Sequence, residues 1–591
     1  MTDEKSGVGE QESLVSRQFK LWSEDPYFDD QTREELLALH DEDEISDRFY
    51  TELEFGTGGL RGILGAGTNR MNKYVIRKVT QGLADYVCQS GEEGKKSGVV
   101  IAYDSRHFSK EFAWETALVL AKNGVHVYIF EQIHPTPVLS FAVRFLKAQA
   151  GIVVTASHNP KDYNGYKVYG TDGSQINPDQ ADQLVSFIQA RPEWREIEPL
   201  PREEAEKRGL IHLIGSAVDE AYLQEVKKLA LYPGLDQSLG GRLRIAYTPL
   251  HGTGLDLITK ALSQMGFSSF WVVKEQAIPD PDFTTVPYPN PEIPSTFHMV
   301  DQLAESVNAD LVLASDPDAD RLGVSARNRE GKLVRLSGNE VGILLSYYIL
   351  TQKKALGILP DDAVIIKTIA STDMIDEMGK VLGAKVESVL TGFKFIAVKE
   401  KELEEQQKGT LQFAFEESIG YRAGSFVRDK DSIIAASLVS EAALYYKEKE
   451  NATLPEVLEQ IYGEFAYYCE DTQSMAFAGR EGKVTMDNIM EGLRREPLPE
   501  IAGLKVGSID DYKVREGRDL LTASVYPLTL PMSNVLRYSF QGGGFVMARP
   551  SGTEPKIKFY FCIRGKTRAE AEGNLKAVKE AFLSRVKSFL P

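Results

Sequence analysis

Short apolar runs recur along this chain, each followed by a turn, a helix-length amphipathic stretch, a glycine and a second apolar run. The first copy is Val99-Val100-Ile101-Ala102-Tyr103, a helix through 117–121, Gly124 and a strand over 125–129. The second is Leu243-Arg244-Ile245-Ala246-Tyr247, a helix over 257–265, Gly266 and a strand around 271–273. The third is Ala363-Val364-Ile365-Ile366, a helix over 374–382, Gly383 and a strand over 385–389. A strand without polar alternation is buried on both faces, and strand, turn, helix and strand in succession make the βα unit of a parallel or mixed sheet. Copies more than about 100 residues apart point to repeated domains, since solenoid repeats are shorter. Any α/β protein also contains such units, so repetition is one reading of the pattern.

The two ends read differently. The first fifty residues are rich in charge, with Leu36, Leu37 and Leu39 near a run of acids, and predict a helical arm over 1–45. At the other end Ile557-Lys558-Phe559-Tyr560-Phe561 predicts a strand and 569–589 a long amphipathic helix, the content of a smaller α+β domain. Turn-rich stretches near 215, 332 and 466 divide the remainder into domains at 46–214, 215–332, 333–465 and 466–591. A chain of 591 residues exceeds what one core supports. The expected fold is therefore three related α/β domains with mixed sheets, followed by a C-terminal α+β domain.

Composition narrows the partners. Apolar residues make up 42% and charged residues 26%, as in ordinary globular proteins. A formal charge of −18 argues against a broad nucleic-acid surface, so an anionic ligand must be met by a local cationic pocket. The three cysteines, Cys88, Cys469 and Cys562, form no close pair, which disfavours disulfides and zinc knuckles and suits a reducing compartment. The polar N-terminal stretch has no signal-peptide core and no run of 18 apolar residues follows. A cytoplasmic protein without a membrane partner is expected.

The candidate chemistry sits in a few loops. Thr155-Ala156-Ser157-His158-Asn159-Pro160 follows the apolar run Ile152-Val153-Val154, which puts the Ser157 hydroxyl at a strand's carboxyl end, where open α/β sheets bind ligands. A serine that only satisfies a turn is the alternative. No G-x-S-x-G elbow surrounds it, so a serine hydrolase is not indicated. Asp316, Asp318 and Asp320 follow Leu311-Val312-Leu313-Ala314 at every other position. Three acids so close repel one another and suit one hard cation. An EF-hand is excluded, because its sixth and twelfth positions are here Arg321 and Arg327; a solvated acidic turn stays open. Arg549-Pro550-Ser551-Gly552-Thr553-Glu554-Pro555-Lys556 has the chemical content of a phosphate cradle, or of a generic Ser/Gly turn. Gly56-Thr57-Gly58-Gly59-Leu60-Arg61-Gly62 lacks the dinucleotide register, though Arg61 can still reach a phosphate.

Taken in order, the serine loop, the D-x-D-x-D-R loop, Phe415-Glu416-Glu417-Ser418 and R-P-S-G-T-E-P resemble the α-D-phosphohexomutase superfamily over nearly the whole chain. The length, Asn164-Gly165-Tyr166-Lys167 and Glu416-Glu417-Ser418-Ile419-Gly420-Tyr421 are similar to its phosphoglucomutase/phosphopentomutase branch. The resemblance implies a heart-shaped four-domain enzyme in which each domain sends one loop to a cleft. It implies that Ser157 is carried as phosphoserine and gives its phosphoryl group to a sugar monophosphate, and that Asp316, Asp318 and Asp320 hold Mg²⁺ with the Ser157 phosphate. It further implies that Glu416 and Ser418 bind sugar hydroxyls, and that Arg549, Ser551, Gly552 and Thr553 grip the phosphate that is not reacting. Lys167 and His158 would lie beside the reacting hydroxyl, with Lys167 the general acid/base or a phosphate ligand, and Arg61 and Arg321 would add positive charge near Ser157. Glucose 1,6-bisphosphate is then the intermediate and activator between glucose 1-phosphate and glucose 6-phosphate. Phe415 stands where the family often has glycine and Ile419 intervenes before Gly420, which leaves pentose phosphates, mannose phosphates and glucose 1,6-bisphosphate synthesis as alternatives, and a noncatalytic sugar-phosphate sensor as a different class.

Overall fold

The computed structural model describes residues 4–56, 58–191, 194–477, 479–551 and 556–590. It divides into two compact units, residues 1–325 with 420–444, and residues 326–419 with 445–591.

In the first unit one sheet runs in the order Gly59–Ile63, Tyr163–Tyr169, Ala150–Val154, Val99–Tyr103, Val127–Phe130 and Ile211–Ile214. The last four strands are parallel, whereas Tyr163–Tyr169 runs antiparallel to both of its neighbours. Val99–Tyr103 and Ala150–Val154 are buried along their whole length, as expected for strands covered on both faces. In the second sheet of this unit Phe270–Val272, Ile245–Thr248 and Leu311–Ser315 lie side by side and parallel. At the N-terminus the helices Glu4–Glu24, Asp30–Leu37 and Glu42–Phe49 fold onto the first sheet's domain. Their attachment is aromatic: Trp22 stacks on Phe28 at 4.3 Å and meets Phe49, Tyr74 and Trp194 edge-on.

The second unit contains a parallel set, Lys385–Val389, Ala363–Thr368 and Thr410–Glu416, and an antiparallel C-terminal sheet. That sheet runs Tyr467–Ala476, Lys556–Gly565, Gly544–Pro550, Leu536–Phe540, Leu504–Asp511, Glu516–Asp519 and Val525–Pro527. The helix Arg568–Lys587 lays Val578, Phe582 and Val586 against it.

The three recurring units seen in the sequence fold as expected. Val99 pairs with Val127, Ile245 with Phe270 and Val364 with Lys385, so in each copy the two strands flanking the helix are parallel neighbours. The glycine after each helix has a physical reason: Gly124, Gly266 and Gly383 take φ of 76°, 109° and 88°, the left-handed turn that ends a helix and that a Cβ would strain. The expected fold class, three α/β domains and a sheet-rich C-terminal one, is the fold observed.

Candidate active site

Ser157 lies three residues past the strand Ala150–Val154, and Asp316 directly follows Leu311–Ser315. Both loops therefore leave carboxyl ends of parallel strands in the first unit. The serine turn is tight. Ser157 has φ 53°, its N–H donates to Thr155 Oγ1 at 2.8 Å, and the residue is 3% exposed. Its hydroxyl donates to Asp316 Oδ2 at 2.9 Å, and His158 Nδ1 lies 3.1 Å from Ser157 Oγ. The neighbouring strand has room to come close because residue 165 is glycine: a Cβ there would sit 2.5 Å from the Thr155 carbonyl oxygen and 2.9 Å from that of Leu60.

The aspartate loop turns inward. Asp316 Oδ1 accepts the N–H groups of Asp320 (3.1 Å) and Arg321 (3.0 Å), a local cap that the left-handed Ala319 makes possible. All three aspartates are buried, with carboxylate oxygens within 4.8 Å of one another. Lys167 Nζ donates to Asp318 Oδ2 at 2.8 Å and stands 3.6 Å from Asp320 Oδ2, which Lys430 Nζ approaches at 2.8 Å. The Thr136 hydroxyl donates to Asp318 Oδ2 and its N–H to the Asp318 carbonyl, each at 2.9 Å. Asp318 Oδ1 and Asp320 Oδ1 are buried and accept no hydrogen bond, so this donor set retains capacity for a hard cation.

The electrostatics follow from burial and crowding. Burial, then Asp320 and Asp318, push the Asp316 carboxyl well above the usual carboxylate range. Burial also pushes Asp318 up, yet the charge and hydrogen bond of Lys167 together with the Lys430 ammonium outweigh it and hold Asp318 well below that range. Burial alone would lower Lys167, but Asp318 and Asp320 reverse this and its pKa rises. The neighbouring Lys430 ammonium lowers it, but is outweighed by these two acids. His158 is held far below its ordinary value by burial, then by Arg321 and Arg61, and is a neutral ring. Arg61, on Gly59–Ile63 opposite Gly165, donates to Asn159 Oδ1 at 3.3 Å. Arg321 donates to Glu292 Oε2 at 3.1 Å, with its Nε 3.8 Å from Asp320 Oδ1.

The first unit thus brings together Ser157, His158, Lys167, Arg61, Arg321 and the three aspartates. The other expected residues belong to the second unit. Glu416 ends the strand Thr410–Glu416 and is 6% exposed. Ser418 and the left-handed Ile419 turn the chain after it, and Glu417 Oε2 accepts the Thr368 hydroxyl at 2.8 Å. Arg549 sits in Gly544–Pro550 opposite Lys558, and Ser551 N–H donates to the Lys556 carbonyl at 2.8 Å. Gly552 and Thr553 lie outside the described residues. Sequence reasoning missed Thr136, Lys430 and Arg106. Their only signal is being polar beside the end of a strand or the start of a helix, a weak one.

Three models of one family match consecutive stretches: phosphoglucomutase/phosphomannomutase alpha/beta/alpha domain I over 52–194, domain II over 220–331 and domain III over 337–465. A phosphoglucomutase of Staphylococcus epidermidis is 39% identical over 514 residues, covering 87% of this chain and 91% of that protein. One of Staphylococcus saprophyticus is 37% identical over 549 residues, covering 92% and 96%. Among solved structures, a phosphoglucomutase/phosphomannomutase family protein of Burkholderia thailandensis has a TM-score of 0.65 at 20% identity, covering 90% of this chain and 97% of that one. Paramecium pp63/parafusin, a phosphoglucomutase in its open form, has a TM-score of 0.66 at 16% identity, covering 91% and 96%. The structural likeness carries the fold alone. No helix among the described residues is long and apolar enough to cross a membrane. With three domain models in order and relatives of this identity across most of the chain, the protein belongs to the phosphoglucomutase/phosphomannomutase family of the α-D-phosphohexomutase superfamily.

Proposed function

We propose that this chain interconverts glucose 1-phosphate and glucose 6-phosphate through a phosphoserine at Ser157, with glucose 1,6-bisphosphate as intermediate. The observation that carries the reading is the 2.9 Å contact between Ser157 Oγ and Asp316, one of three buried aspartates whose oxygens converge. The names of the relatives support the same chemistry.

In this reading the phosphoserine P–O bond breaks as the sugar hydroxyl forms a new one. The bisphosphate then reorients, and its other phosphate returns to Ser157. Phosphoryl transfer needs positioning and charge neutralisation more than covalent chemistry. Mg²⁺, held by Asp316, Asp318, Asp320 and the Ser157 phosphate, would supply a positive charge against the transferred group. Arg61 and Arg321 add fixed cations, and His158 stays neutral. Lys167 positions the phosphoryl oxygens as an ammonium while Asp318 and Asp320 face it, and exchanges a proton with the sugar hydroxyl once those acids are otherwise engaged. Glu416 and Ser418 are assigned to the sugar hydroxyls, and Arg549, Ser551, Gly552 and Thr553 to the phosphate that is not reacting. The substrates suit a cytoplasmic setting.

The test is turnover of glucose 1-phosphate, followed through coupled oxidation of glucose 6-phosphate, beside mannose 1-phosphate and ribose 1-phosphate. Glucose 1-phosphate is expected to have the highest kcat/KM. No turnover of any of the three would overturn the reading, and a preference for ribose 1-phosphate would move it to pentose phosphates.

A further inference from the structure

The serine loop is held from behind by one buried arginine. Arg106 follows the strand Val99–Tyr103 by three residues, and its side chain is completely buried. Its Nη2 donates to the carbonyls of Ser157 (2.6 Å) and Asn159 (2.5 Å), and its Nη1 to those of Pro160 (2.7 Å) and Tyr163 (3.2 Å). One guanidinium thereby gathers four main-chain oxygens from seven consecutive residues, which its planar fork of donors allows and an ammonium does not. The Phe283 ring covers it at 4.9 Å, and Asp104 Oδ2 lies 3.4 Å from its Nε. Asp104 is itself fixed, since its Oδ1 accepts the Arg106 N–H at 3.0 Å and the Ser109 hydroxyl at 2.6 Å. Just outside, Asp282 Oδ1 takes Lys161 Nζ at 3.0 Å and His107 Nε2 lies 3.2 Å from it, bracketing the same loop at the surface.

The consequence reaches Ser157. Its φ of 53° is a conformation that a residue with a Cβ adopts only when its surroundings impose it. Two contacts do so, the Thr155 hydroxyl on its N–H and Arg106 on its carbonyl. We propose that Arg106 is a positioning residue for the serine chemistry: by pinning the carbonyls on both sides of the turn it sets the direction in which Ser157 Oγ faces Asp316, without touching substrate. This rests on the phosphoserine reading above. It separates two jobs that look alike in sequence, because Arg61 and Arg321 supply charge to the site whereas Arg106 supplies geometry to the nucleophile.

Arg106→Lys tests this, since it keeps the charge and loses the fork. The expected result is a kcat lower by about 50-fold or more, with KM for glucose 1-phosphate and affinity for Mn²⁺ each within about twofold. Amide exchange in 155–163 should quicken about tenfold while that of 311–322 is unchanged. A kcat within about threefold of the parent, or unaltered exchange in 155–163, would overturn the proposal. So would loss of Mn²⁺ affinity and quickened exchange across the whole unit, which a merely structural role predicts. If Arg106→Lys does not fold, Phe283→Leu decides: kcat falls about threefold to tenfold with KM unchanged, or the proposal fails. The exchange comparison needs no turnover, so an inactive parent protein would count against the mutase reading alone.

Discussion

Two clusters of buried acids in the first unit resolve the same difficulty in opposite ways. Asp236, on the helix Pro233–Leu239, faces Glu441 on Ser432–Tyr445, and both are fully buried. Burial and then Glu441 push the Asp236 carboxyl up to about 8, so Asp236 is uncharged at neutral pH and does not face Glu441 as a second anion. Asp316, Asp318 and Asp320 are as deeply buried, but Lys167 pairs with Asp318, Lys430 with Asp320, and the Ser157 hydroxyl donates to Asp316. A protonated acid needs no counter-charge, whereas Asp318 and Asp320 are each offset by a lysine, positive charge that a hard cation can also supply. Acid content alone does not distinguish function from packing; the difference lies in what offsets the charge.

Breaking the second cluster should have the largest effect. Asp316→Asn is expected to lower glucose 1-phosphate turnover by about 10³ or more, because it removes the partner of Ser157 and one of three converging acids. Lys167→Met comes next, with about a 10²-fold loss. A fall in kcat at constant KM would assign Lys167 to proton transfer, and a rise in KM to phosphate binding.

Asp236→Asn should leave turnover unchanged and alter only stability against pH. Its folded pKa of about 8 lies above the ordinary 3.8, so the native state holds an extra proton in that window. Stability is complete below about pH 4 and declines as pH rises toward 8, by up to about 1.4 kcal/mol per unit. The variant should flatten that decline in denaturant titrations at pH 5 and pH 8. Thr136→Val should have the smallest effect, a kcat lower by about threefold to tenfold, because it removes one of the hydrogen bonds that orient Asp318.

Only one side of this contrast, the aspartate loop and its serine, was legible in the sequence. The D-x-D-x-D spacing and the serine loop could be read because each follows an apolar run, Leu311 to Ala314 and Ile152 to Val154, and strand ends are where open sheets expose polar loops. The helix-ending glycines marked the repeats for a backbone reason. Thr136 and Asp318 are 182 residues apart, and no local pattern announces their bond. Arg106 looks like any arginine in a turn until the carbonyls around it are seen. The aromatic cluster around Trp22 was equally hidden, since Tyr74 and Trp194 reach it from distant elements. Asp236 and Glu441, 205 positions apart by number, gave no sign of meeting.

The central claim is that the Ser157 oxygen carries the phosphoryl group. The direct measurement is to incubate the protein with glucose 1,6-bisphosphate labelled in its phosphates, then locate the label by peptide mass spectrometry in the parent and in Ser157→Ala. The account predicts one phosphate on Ser157 of the parent, chased off by glucose 1-phosphate, and none on the variant. A label on another residue, or one that persists in Ser157→Ala, would contradict it.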